Sequence, residues 1–87
     1  MAITIDIHED SIYGGKVIYT DNCVEDELVE AVNNILETEG KVRVSFNVTG
    51  ATLHTILSNQ LKERLSEDCE VEIGRYKCAI RKVAERV

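Results

Sequence analysis

Eighty-seven residues, 44% hydrophobic and 30% charged, leave interior for one core only, which excludes two independent domains, so residues 1–87 read as a single unit. The net charge of −6 is segregated: residues 1–40 carry ten acids against Lys16 alone, while residues 41–87 carry nine Lys or Arg against six acids. No run approaches the roughly 18 apolar residues of a membrane span, the N-terminus lacks the basic-then-apolar pattern of a leader, and Cys23, Cys69 and Cys78 are too few and odd in number for a disulfide framework, so a cytoplasmic chain away from membranes is expected.

In chain order, Ile3, Ile5 and Ile7 alternate with Thr4, Asp6 and His8, the period of a strand with one covered face. A second strand is predicted over 16–20, after a turn at Gly14-Gly15, where positive φ is available without penalty. Val24, Leu28, Ala31, Val32, Ile35 and Leu36 then recur at helical spacing. Asn22 with Glu25 suggests a capping box at that helix's start, and Gly40 a C-terminal cap at its end.

Residues 41–48 return to alternation, with Val42, Val44, Phe46 and Val48 on one face and Arg43, Ser45 and Asn47 on the other. A second helix follows Thr49-Gly50-Ala51-Thr52, with Leu53, Ile56, Leu57, Leu61 and Leu65 as its inward stripe and Thr49 or Thr52 as its cap. Val71 and Ile73 alternate with Glu70 and Glu72 in a further strand that stops at Gly74. Residues 76–87 fit both periods, and their Lys, Ala, Arg and Glu content favours a terminal helix.

The expectation is an α+β two-layer sandwich: a mixed sheet of roughly four strands, two or three helices on one face, order ββαβαβ and then α. This element order resembles the opening part of the STAS domain fold, where a hairpin precedes alternating helices and strands, and the strand-loop-helix of that family resembles Val42 to Leu57. Thr49-Gly50-Ala51-Thr52 replaces the family's Asp-Ser-Ser/Thr-Gly loop, so its phosphorylatable residue and its anti-sigma partners are not implied here.

Chemistry-bearing constellations are sparse. His8, His54 and the cysteines have no metal-ligand spacing, so no metal or cofactor is expected, and His54 reads as a surface or boundary residue. Cys23 opens the first helix, but Glu25, Asp26 and Glu27 oppose a thiolate there. Asp6, Glu70 and Glu72 project from the open sheet face, where solvation or salt bridges to Arg43 account for them without a walled acid-base site.

A non-enzymatic protein-interaction module, such as an adaptor, inhibitor or regulator, is therefore expected. It would use the acidic helix, through Glu27, Glu30 and Glu37, or the open sheet face, through Arg43, Ser45 and Asn47. Its partner would carry a basic surface, and a second copy of the chain is another candidate, since a domain this small buries little surface alone. A basic C-terminal segment could instead pair with the acidic helix, while direct nucleic-acid binding is disfavoured by the negative total. The alternatives are a small-ligand or nucleotide-binding regulatory domain using the strand-loop-helix at 47–53, through Thr49, Gly50 and Thr52, and a nucleic-acid mimic that binds a DNA-handling protein.

Overall fold

A computed structural model describes residues 3–83. Strands β1 (Ile5–Glu9) and β2 (Lys16–Thr20) form an antiparallel pair, helix α1 (Asp26–Glu39) leads to β3 (Lys41–Phe46), helix α2 (Ala51–Glu63) leads to β4 (Cys69–Gly74), and β5 (Lys77–Lys82) is the last element among the described residues. The sheet order is β1-β2-β3-β5-β4, with β2 and β3 parallel and every other pairing antiparallel. The α+β class and the mixed sheet agree with the alternation in the sequence, but there are five strands and two helices among the described residues.

The expected terminal helix is a strand. Cys78 and Ile80 fill the sheet between β3 and β4 and are buried to 0% and 1% exposure, while Ala79 and Arg81 point the other way. Pairing on both edges supplies β5 with ladder hydrogen bonds and apolar neighbours, which outweigh the modest helix preference of Lys, Ala and Arg. The turn before it places Tyr76 at φ 54, a left-handed conformation that bulky residues seldom adopt. The end of the expected helix, residues 84–87, lies outside the described residues.

Residues directly opposite in the ladders share a face, so Ile18, Val42, Val44, Phe46, Cys78 and Ile80 form one apolar surface. Leu28, Val32, Ile35 and Leu36 of α1 and Leu57 and Leu61 of α2 close over it. Both helices thus cover one side of the sheet. Helix α1 starts from an extended Glu25, without a side-chain cap, so the Asn22 capping box does not form; its end at Gly40 is as expected, with the Gly40 N–H donating to the Leu36 carbonyl at 3.0 Å.

Helix α2 is rotated from the expected phase by one position. Its inward residues are His54, Leu57, Ser58 and Leu61, while Leu53 and Ile56 stand 42% and 47% exposed. Residues 54, 57, 58 and 61 keep the spacing of one helical face. The polar pair is tolerated there because it is satisfied internally: the Ser58 hydroxyl donates to the His54 carbonyl at 2.7 Å, and His54 Nε2 accepts the Phe46 N–H at 3.2 Å.

Candidate functional site

The expected partner-binding residues fall on two opposite sides. Glu27, Glu30 and Glu37 are exposed on α1, in the helix layer. Arg43, Ser45 and Asn47 belong to the other face of the sheet, and the core lies between the two groups. The structure does not bring them together.

On the helix side, α1 receives two cations from the second half of the chain. Arg64, at the end of α2, pairs with Asp26 and donates to the Val24 carbonyl at 3.2 Å, and Lys82 lies 3.4 Å from Glu37. Glu27 and Glu30 have no ion-pair partner among the described residues. Glu30 borders a shallow depression of about 450 Å³ with Asp26, Val29, Asn33, Asn34 and Arg64. Cys23, just before α1, has its thiol pKa pushed up by burial and then by Glu25, Asp21 and Glu27, which leaves it a poor nucleophile.

On the sheet side, Arg43 is not a free platform residue, and its partner is not Asp6, Glu70 or Glu72. Its Nε donates to Asp10 Oδ2 at 2.8 Å and its second guanidinium nitrogen to Oδ1 at 3.3 Å. Asp10 also accepts the backbone N–H groups of Ile12 and Tyr13 at 3.1 and 3.2 Å, so one carboxylate organises the β1–β2 loop and anchors it to the central strand. The hydrogen bond from Arg43, aided by those two N–H groups, holds the Asp10 pKa down, from an ordinary 3.8 to about 2. Gly14 and Gly15, at φ 81 and 76, let the loop fold back against Lys41, whose side chain lies 3.2 and 3.1 Å from where their Cβ atoms would stand.

Tyr13, carried by this loop, spreads its ring beside two cations, with Arg43 Cζ and Lys77 Nζ each 5.2 Å from its centre. Together with Lys41, Glu70, Glu72, Ala79 and Arg81 it borders a concavity of about 650 Å³ on the helix-free face. Its charges are largely matched in pairs: Arg81 with Glu70, Lys77 with Glu72 at 3.2 Å, and Arg43 with Asp10. Ser45 and Asn47 line a separate depression with Asp6, Tyr19 and Asp21. Asp10 and Tyr13 escaped the sequence reading, although an Asp heading a segment that ends in Gly-Gly is a side-chain-capped turn signal.

At the strand-loop-helix, Gly50 is the N-cap of α2, and neither Thr49 nor Thr52 caps it through a side chain. Thr49 is tied down instead by its carbonyl, which accepts the Tyr76 hydroxyl at 3.2 Å. His54 is fully buried, in contrast to the surface or boundary position expected of it. It sits between the rings of Phe46 and Tyr76, whose centres are 5.3 and 5.8 Å away, and burial lowers its pKa. Burial likewise raises the Cys78 thiol to about 11, so it stays protonated in the core.

Among the described residues, no group of three or more His, Cys, Asp or Glu is placed to hold a metal ion, and no helix is long and apolar enough to cross a membrane. No protein-family model, no curated protein and no solved structure matches the chain.

Proposed function

We propose that the chain is a non-catalytic protein-interaction module that receives a basic partner on the acidic face of α1. The observation that carries this reading is the contrast between the two sides. The helix-free face is rich in charge but pairs Asp10, Glu70 and Glu72 with its own cations, whereas Glu27 and Glu30 stand exposed without a partner among the described residues. Glu25 and Asp26 add charge to the same end of the helix, and Lys or Arg is missing from all of α1, so the helix carries repulsion that a cationic surface would relieve. Asn33 and Asn34, beside Glu30, add hydrogen-bonding groups of the kind found at an interface rim.

The test is quantitative binding to the immobilised chain at about 50 and 500 mM salt, which changes the screening length severalfold. A specific partner should be held at low salt, released at high salt and lost with the double variant E27K/E30K. A variant of the opposite face, Ser45→Lys with Asn47→Lys, should keep it. Retention of the same partner by E27K/E30K, or its loss with the Ser45/Asn47 variant alone, overturns the assignment to α1.

A further inference from the structure

Among the described residues β1 is an edge strand with one side unpaired, and we propose that the protein forms a two-fold dimer through antiparallel β1–β1 pairing centred on Ile7. The backbone phase comes first. Asp10 N–H donates to the Gly15 carbonyl at 2.8 Å, and Thr4 turns its N–H to Asp21 and its carbonyl to the Thr20 hydroxyl, so positions 4 and 10 both face β2. In an antiparallel pair this alternates along the strand, so Asp6 and His8 also bond inward, while Ile5, Ile7 and Glu9 direct their N–H and carbonyl groups to the open edge.

A two-fold axis at Ile7 uses all of those outward groups. Ile7 exchanges both of its bonds with Ile7 of the second copy, and Ile5 and Glu9 exchange theirs crosswise. The same register places Asp6 opposite His8 of the second copy, twice, at the closely spaced positions of the ladder. A carboxylate there accepts a hydrogen bond from the imidazole in either of its charge states. The T-shaped contact of His8 with Tyr19, centres 5.5 Å apart, already holds that ring over the helix-free face. On the other face, Ile7, 49% exposed, gains its own counterpart as cover.

Competing arrangements fit worse. Centring on Asp6 or His8 also uses the outward groups but sets Asp6 against Asp6, or His8 against His8 and Asp6 against the buried Asp10, with no acid facing an imidazole. Centring on Ile5 sets Thr4 against Asp6, without a complementary charge. Self-pairing of the opposite edge, β4, about Val71 would oppose Glu70 and Glu72. The β1 edge carries neither Pro nor Lys over Ile5–Glu9, two of the residues that commonly block edge pairing. The proposal is independent of the α1 reading, but it adds to it: the copies share one continuous sheet with their helix layers on the same side, which presents two acidic helices together.

Paired five-residue strands make a small interface, so dissociation in the micromolar range is expected. Sedimentation equilibrium over a wide concentration range should give monomer and dimer only. Ile7→Pro removes an outward N–H without touching the β1–β2 ladder and should leave a monomer that melts close to wild type. Asp6→His or His8→Asp alone should weaken the dimer about tenfold or more, and the double variant that exchanges them should restore it. A wild-type chain that stays monomeric throughout, a dimer indifferent to both Ile7→Pro and the exchange series, or assemblies that grow beyond two copies as β1-to-β4 pairing would, each overturns the proposal. Should Ile7→Pro unfold the chain, the exchange series decides alone.

Discussion

Asp10 is the residue on which the helix-free face depends. It accepts from Arg43 and from two backbone N–H groups while its side chain is 1% exposed, so removing it strands a guanidinium that is itself only 14% exposed. Asp10→Ala is expected to destabilise by about 3 kcal/mol, at the low end of the range for breaking a buried pair because Arg43 keeps some contact with water. Since the carboxylate titrates lower in the fold than its ordinary 3.8, its contribution is complete above pH 4 and is lost as the pH falls toward about 2. Acid unfolding of wild type and Asp10→Asn should therefore converge in that window. A constant offset between them would contradict the linkage.

His54 adds a second loss of stability with falling pH, one that begins nearer neutrality. Its Nε2 accepts a backbone N–H, so a proton added there would face a donor, and burial already lowers its pKa below the ordinary 6.5. The unfolded chain takes up a proton below that value while the fold resists it, so stability declines as the pH drops from about 6.5. His54→Gln, which can still offer an acceptor, should flatten that part of the stability curve measured by thermal melts between pH 7 and 5. An unchanged slope would assign it to another group.

At the level of elements, α1 and β3 were legible because each showed one period only. Leu28, Val32, Ile35 and Leu36 have no competing alternation, and Val42, Val44 and Phe46 have no competing helical stripe. Helix α2 and β5 were not, because each carries two overlapping patterns. Leu53 and Ile56 sit one position from the true inward face, and only the pairing of His54 with Ser58 and Phe46 decides the phase, an interaction that apolar periodicity does not register. The two phases make a direct test: Leu53→Lys with Ile56→Lys should change stability by less than about 1 kcal/mol, whereas burial of both side chains would make that double change severe. In β5 the outcome was fixed by its neighbours β3 and β4, which local composition cannot see.

For the whole molecule, the charge asymmetry of the sequence is partly consumed by folding. Asp10 with Arg43, Asp26 with Arg64, and Glu37 with Lys82 each join an acid of the first half to a cation of the second. The candidate site was legible to the extent that it lies on one element: Glu27 and Glu30 could be read from α1 alone. Arg43 could be seen but not its commitment to Asp10, because a contact across 33 positions depends on how the first loop folds back. Proximity in the chain and proximity in space part company there.

The strand order has a consequence for synthesis. Of the five described strands, β5 is made after the others yet must enter between two of them, and β4, made just before it, has no neighbour in the described sheet until that happens. Nascent chains stopped short of Cys78 and Ile80 hold Val42 on one side and Val71 on the other with no ladder to join them. Joining the two parts of the sheet therefore waits on a strand at its interior.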